Sequence, residues 1–336
     1  MLQFLKYLLF PFSLLYKGIT SLRNLMFDFK ILPSFEPPLP TIGVGNLTVG
    51  GTGKTPVIDY LLSILSSHKI GVISRGYGRK TKGFIAIDAK SSPENVGDEP
   101  FMLSKMNPRI NFFVSENRVE GYKKATDAVN DLEIILFDDV FQHRYLKPKL
   151  NLLLCDYNRP FYEDYVLPTG LLRESRSGAV RADLVIVTKC PETISDSKKE
   201  KIIRKIAAYC SEQTPVFFAN FKSLNPNNSE NKLLKNGSKV VLISALANNE
   251  GFRKGLETDY EVVKHFEFKD HHHFRQTDIQ HIMSEFPDAN FVCSEKDFVK
   301  IEPLLSRSEL LKFFISRQKI VLFEEESFKK LILKLL

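Results

Sequence analysis

The chain has 336 residues, 43% of them hydrophobic and 26% charged. That balance excludes wholesale disorder and fibrous repeats, and the length suits two domains with cores of their own. Lys and Arg total 47 against 40 Asp and Glu, a net charge of +7, which suits anionic partners such as phosphates, acidic lipid or nucleic acid without choosing among them. The four cysteines, Cys155, Cys190, Cys210 and Cys293, form no C-x-x-C pair, so neither a disulfide framework nor a zinc ribbon is expected and a reducing cytoplasm is the default.

The opening stretch, residues 1–30, is rich in Leu and Phe, but Lys6, Lys17 and Arg23 interrupt it too often for a membrane span. No small-x-small cleavage site follows Phe12, as a signal peptide would require. Gln3, Lys6, Ser13, Lys17, Ser21 and Asn24 fall 3, 7, 4, 4 and 3 residues apart, which places them on one narrow helical face. Pro11 is expected to kink or restart the helix. A wide apolar face beside a basic strip predicts an amphipathic helix lying at an anionic membrane surface. Packing of that apolar face on the protein's own core, or in a dimer, is the competing reading.

A Pro-rich link at 33–40 leads into alternating short apolar runs and helical stretches. The runs TIGVGNL, KIGVISR, GFIAID, INFFVS, EIILFDD, LNLLLCD, ADLVIVTK, PVFFANF, KVVLISAL and ANFVCSE read as strands. VIDYLLSILSSH, PFMLSKM, RVEGYKKATDAV and SKKEKIIRKIAAY read as helices. The alternation predicts an α/β fold, a mostly parallel sheet with helices on both faces and its ligand at the carboxyl ends of the strands, and the GGTGKT run at 50–55 makes its type that of a P-loop NTPase. The Asn/Ser-rich segment 223–238 is expected to link a core domain, 31–222, to a smaller C-terminal α/β domain, 239–336.

The sharpest chemical signal is GVGNLTVGGTGKTP at 43–56, between a predicted strand and a predicted helix. The loop Thr48, Val49, Gly50, Gly51, Thr52 and Gly53 would present backbone N–H groups to nucleotide phosphates. Lys54 would reach the β- and γ-phosphates and Thr55 would ligate Mg²⁺. Thr48 stands where the strict pattern has glycine, so the loop is a variant with the same GKT ending. EIILFDD at 133–139 ends a strand in Asp138 and Asp139, the form of a metal-holding strand tip. Gly97-Asp98-Glu99-Pro100 opens a helix with two carboxylates. These suit a metal ligand and a general base, or ordinary helix-start chemistry. Lys69, Arg75, Arg79, Lys80 and Lys82 lie in a window with no acid between Asp59 and Asp88, an anion funnel or a solvated face. With only Tyr77 among them, a nucleic-acid platform is not expected. Asp270 precedes His271, His272 and His273, a carboxylate that can tune a proton-transfer group, and Gln142 and His143 follow the strand-tip aspartates.

Taken together, GNLTVGGTGKTP (45–56), SRGYGRK (74–80), GDEP (97–100), FDDVFQH (137–143), LPTGLLRE (167–174), RADLVIVTK (181–189), ISALANNEGF (243–252), DHH (270–272) and SEKDFVK (294–300) resemble the tetraacyldisaccharide 4′-kinases of lipid A synthesis. The resemblance covers nearly all the chain beyond residue 40. It implies ATP and Mg²⁺ as cofactors, a lipid disaccharide 1-phosphate as substrate, and a peripheral place on the cytoplasmic face of the inner membrane. It implies Asp98 as catalytic base, paired with His271 or His272, and Lys54 and Thr55 at the nucleotide. It further implies Glu99 and Asp138 near the metal, with Arg75, Asp139, Gln142, His143, Arg173 and Glu174 at active-site positions. Val140, Ser175, Asn249 and Lys269 depart from the family pattern; a β-branched Val140 would be strained if its backbone needed a positive φ. A P-loop NTPase switch that hydrolyses nucleotide to drive assembly is the alternative class. A nucleotide-binding scaffold is a third, which the carboxylate pairs at 98–99 and 138–139 argue against.

Overall fold

A computed structural model describes residues 2–336, with side chains from residue 8 onward. In chain order the strands are β1 (Thr41–Asn46), β2 (Ile70–Ser74), β3 (Ile85–Ala86), β4 (Asn111–Val114), β5 (Ile134–Asp138), β6 (Leu150–Asp156), β7 (Leu184–Thr188), β8 (Val216–Ser223), β9 (Lys239–Ser244), β10 (Glu261–Glu267), β11 (Asn290–Ser294), β12 (Phe313–Ser316) and β13 (Gln318–Leu322). The larger sheet has the order β13-β8-β7-β6-β1-β5-β2-β4-β3 and the smaller the order β10-β9-β11-β12. All pairings are parallel except those of the edge strands β3 and β13. β1 is buried along its whole length between β5 and β6, so the loop after it and the tips of β5 and β6 open onto one crevice, where ligands of such sheets bind.

Both sheets are covered on both faces, as their unbroken apolar runs require. Ile42 and Val44 of β1 join Val57, Ile58 and Leu61 of the helix Lys54–Ile64 in one core. In the smaller sheet Val241, Ile243, Phe291 and Cys293 face one layer, and Val240, Leu242 and Val292 face the other, the period-2 alternation of a strand.

The smaller sheet comprises β9 to β12, and the chain then returns: β13 pairs antiparallel with β8. Ile320, Leu322, Phe328 and Ile332, the last two from the helix Glu325–Leu335, join the core of the larger sheet. The expected boundary of 239–336 for the smaller unit therefore differs from sheet membership over residues 318–336. QKIVL is a short run whose buried residues, Ile320 and Leu322, reveal nothing in sequence about which sheet they complete.

The first helix runs from Leu2 to Asp28 with Pro11 inside it, so of the expected kink or restart the restart does not occur. Its described side chains are sorted in an unusual way. Ser13 and Phe27 are buried against the larger sheet's loops, whereas Phe12, Leu15, Ile19, Leu22 and Leu25 are each about half or more exposed. Ser13 is paired with Thr169, Oγ to Oγ1, at 2.7 Å. The polar strip thus faces the protein, except for exposed Lys17, and the apolar face points outward. The side chains of Gln3 and Lys6 lie outside the described residues. Packing of the apolar face on the protein's own core is not what this arrangement supports.

Candidate active site

The loop after β1 is shaped by its neighbours before any ligand arrives. Gly53 has φ +87°, and a Cβ there would lie 2.1 Å from the Phe221 ring, so only glycine can stand where the helix Lys54–Ile64 begins. Thr188 Oγ1 donates to the Thr52 carbonyl at 2.8 Å, and Lys189 Nζ donates to that of Gly51 while pairing with Asp156 at 2.7 Å. In a trans peptide the N–H points opposite the carbonyl, so pinning these carbonyls outward turns the following N–H groups inward. Among the described residues, none of the N–H groups of residues 50–53 donates to a protein acceptor. Val49 differs: its N–H is taken by the Leu171 carbonyl at 2.7 Å, and Thr48 bridges to Leu172. Of the loop expected to meet phosphates, 48–55, the Val49 N–H is thus already satisfied within the protein.

Lys54 extends back over the loop, its Nζ 3.4 Å from both Asn46 Oδ1 and Asp139 Oδ1. Asp139 also pairs with Arg173 at 2.8 Å. Burial alone would raise its carboxyl, but the Lys54 and Arg173 charges outweigh burial and hold it below the usual range. Asp139, not Val140, carries the left-handed backbone, at φ +51°, a conformation that Asp tolerates better than a branched residue. The concern about Val140 is thereby answered. It is buried, with Cγ1 2.6 Å from where a Cβ on Gly43 would stand, so Gly43 is what admits this loop against β1.

Asp138 lies at the buried tip of β5. Ser74 Oγ donates to its Oδ2 at 2.9 Å, while Oδ1 is buried with no partner. Burial, then the nearby Glu99 charge, push its carboxyl up to about 6 against the pull of Lys54. Excess negative charge with an orphaned carboxylate oxygen is what a cation site looks like before the cation arrives. Among the described residues no group of three or more Asp, Glu, His or Cys side chains stands close enough to hold a metal ion by itself.

Beyond Asp139, Gln142 Oε1 accepts from Arg173 at 3.3 Å, and its amide nitrogen donates to Glu174 at 3.2 Å and to the Asn46 carbonyl at 2.9 Å. Glu174 is buried and paired with Arg181 at 2.7 Å. Burial, with the charges of Arg118 and Arg75 nearby, drives the His143 imidazole down to about 4, so it is neutral at pH 7. Arg118 is itself buried and ties the site together, donating to the Ser115 and Asp138 carbonyls at 2.6 and 3.1 Å.

On the other wall, the helix Asp98–Met106 begins at Gly97, with Asp98 buried. His271 Nδ1 reaches Asp98 Oδ2 at 3.1 Å across 173 residues of sequence. Lys300 Nζ stands 3.5 Å from the same oxygen and 3.6 Å from the fully buried Asp297, and donates to the His272 carbonyl at 3.2 Å. His272 itself turns away. It stacks on Phe268 with centroids 4.5 Å apart and meets Asp278 at 3.3 Å, so of the two histidines His271 is the one brought to Asp98. Asn249, a departure from the family pattern, accepts from Leu246 N at 2.9 Å and donates to the Phe268 carbonyl at 3.1 Å. It thereby ties the loop after β9 to the segment carrying the histidines.

The anticipated funnel is reduced. Lys69, Arg79 and Lys80 pair with Asp131, Glu116 and Glu94, acids that lie outside the window. Arg75 is exposed and close enough to lower His143. Sequence reasoning missed Lys300, Arg118, Ser74, and the pair Thr188-Lys189 that shapes the loop. A Thr-Lys at a strand end was the available signal for the last.

A pinned glycine-rich loop at a helix start, a lysine reaching over it and carboxylates at a strand tip define a P-loop nucleotide site. The family model for tetraacyldisaccharide-1-P 4′-kinase matches residues 5–336. The chain is 41% identical to the tetraacyldisaccharide 4′-kinase of Flavobacterium psychrophilum, over 99% of this chain and 97% of that one. It is 40% identical to the enzyme of the same name from Cytophaga hutchinsonii, over 92% and 89%. The crystal structure of an "apo" form of LpxK from Aquifex aeolicus in complex with ATP superposes with a TM-score of 0.79 at 30% identity, covering 98% of this chain and 99% of that one. The protein belongs to the tetraacyldisaccharide-1-phosphate 4′-kinase family.

Proposed function

We propose that this protein transfers the γ-phosphoryl group of ATP to the 4′-hydroxyl of a tetraacyldisaccharide 1-phosphate. Asp98 acts as base, and the reaction takes place at the cytoplasmic face of the inner membrane. The observation that carries the chemical assignment is the meeting of Asp98 with His271 and Lys300 from the smaller sheet's side, next to Glu99, whose charge reaches Asp138. His271 and Lys300 both converge on Oδ2, leaving the second oxygen to take the sugar hydroxyl proton as the oxygen attacks γ-phosphorus and the bond to the β-phosphate oxygen breaks. Lys54 and the N–H groups of residues 50–55 neutralise charge developing on the transferred group. Mg²⁺, when bound, would supply positive charge that offsets the charge of the phosphates. The residues that would hold it are Thr55 and the orphaned oxygen of Asp138, with Glu99 in its surroundings. Arg75, Arg173, Glu174, Gln142 and His143 line the remaining wall, where an acceptor bearing a phosphate meets positive charge from Arg75 and Arg173.

The membrane reading rests on the first helix. Among the described residues no helix is long and apolar enough to cross a bilayer. The outward face bearing Phe12, Leu15, Ile19, Leu22 and Leu25 suits shallow insertion of a helix lying in the interface. A lipid substrate held in the leaflet then needs no extraction.

General-base help is worth ~10²–10⁴-fold, so Asp98→Ala should lose turnover on that scale while retaining ATP affinity. An equal loss of ATP affinity and turnover would defeat the base assignment.

A further inference from the structure

The first helix does more than rest on the protein. Three of its side chains reach three residues of one loop cluster. Tyr16 donates to the Arg173 carbonyl at 3.1 Å and Arg23 to the Gln142 carbonyl at 3.2 Å; Asn24 Nδ2 donates to Glu174 Oε2 at 2.7 Å. Only the last bond ends on a side chain, and that side chain is a buried carboxylate. From there the polar contacts are continuous. Glu174 Oε1 accepts from Gln142 Nε2 at 3.2 Å, and Gln142 Oε1 accepts from Arg173 at 3.3 Å. Arg173 pairs with Asp139 at 2.8 Å, and Asp139 with Lys54 of the P-loop at 3.4 Å.

We infer that Asn24 is a positioning residue for phosphoryl transfer, through which the surface helix sets the Glu174–Gln142–Arg173–Asp139 chain and hence Lys54. The argument is one of satisfaction. A buried carboxylate oxygen that loses its donor seeks another. With Oε2 bare, Glu174 rotates toward Arg181, which already holds Oε1 at 2.7 Å. Gln142 is oriented because its amide nitrogen has two acceptors, Glu174 and the Asn46 carbonyl, which leaves its oxygen toward Arg173. Moving Glu174 leaves the Asn46 carbonyl as the amide's remaining acceptor, so Gln142 shifts toward it, its 3.3 Å contact with Arg173 lengthens, and the Arg173–Asp139 pair loosens. Asn24 shares its turn with Leu22 and Leu25, which point outward, so the contact with the surroundings and the hold on Glu174 are opposite faces of the same segment.

The docked helix does not depend on the Asn24 amide. Arg144 bonds the Asn24 carbonyl and Asp28, each at 2.7 Å, Ser13 pairs with Thr169, and Phe27 is buried. Asn24→Ala therefore tests the relay rather than the docking. This inference rests on the kinase reading, and the experiment separates the two. Steady-state transfer from ATP to detergent-dispersed tetraacyldisaccharide 1-phosphate would be measured for the unaltered protein, Asn24→Ala, Glu174→Gln and the double variant. Melting temperature and partitioning onto anionic vesicles would be measured alongside. Asn24→Ala should lower kcat by roughly 5–20-fold, with KM for ATP, vesicle partitioning and melting temperature held, and should add less than about two-fold in the Glu174→Gln background. An unchanged kcat overturns the inference, as does the same fold-loss in both backgrounds or a loss that tracks vesicle partitioning or melting. If the unaltered protein labels no lipid, it is the kinase reading that fails.

Discussion

Asp138→Asn should make the ligand-free protein more stable at neutral pH while disabling the site. The carboxyl is pushed from 3.8 to about 6 by burial and by Glu99. That is a little over two units, and at ~1.4 kcal/mol per unit the ionised group carries about 3 kcal/mol of strain at pH 7. The folded state binds the proton more tightly than the unfolded chain, so this group's contribution to stability falls as pH rises from about 4 to about 6. Asparagine keeps an acceptor for Ser74 and removes the charge, but its buried amide nitrogen inherits the unpartnered place of Oδ1, which offsets about 1 kcal/mol. A net gain of about 2 kcal/mol should remain at pH 7.5 and turn into a loss of under about 1 kcal/mol near pH 4, where the folded carboxyl is neutral and the amide's cost persists. His143 titrates in the opposite sense: its folded value is lowered to about 4, so stability is lost as pH falls from about 6.5 to 4. It does so in both proteins and cancels in the difference. The assay is urea unfolding in EDTA at the two pH values, followed by circular dichroism. A variant less stable than the parent at pH 7.5, or a gain as large at pH 4, would refute the reasoning.

His271→Ala should cut turnover heavily with little change in melting temperature, since His271 is 43% exposed in its side chain. His272→Ala should instead lower the melting temperature by removing the ring stacked on Phe268, with a smaller effect on turnover; kinetics and thermal melts on the pair decide it. Leu15→Glu with Leu22→Glu should reduce co-sedimentation with anionic vesicles at least ten-fold. These two outward residues are 65% and 62% exposed, and burying a leucine is worth ~1.5–3 kcal/mol. Far-UV circular dichroism should show the fold retained.

Much of this was legible because the signals were local. TIGVGNLTVGGTGKTP and EIILFDD carry strand, loop and helix start within a few residues, and the parallel core followed from alternating apolar runs and helical stretches. What stayed hidden depended on distance in sequence. Nothing local says that Lys300 stands beside Asp98, that β13 returns to β8, or that acids at 94, 116 and 131 would neutralise the basic window. EVVKHFE was missed as β10 because its residues are intermediate or exposed, so no apolar run marks it. The first helix was legible as amphipathic, but not the direction of its faces. The polar strip that suggested a basic surface for lipid headgroups is largely occupied by the protein's own loops, through Ser13 and Asn24.

The central claim is phosphoryl transfer to a lipid hydroxyl. The protein would be incubated with [γ-³²P]ATP, Mg²⁺ and detergent-dispersed tetraacyldisaccharide 1-phosphate, and the lipid phase counted. The account predicts label in the lipid with the unaltered protein, lost in Lys54→Ala and Asp98→Ala. Free phosphate released without labelled lipid would contradict it.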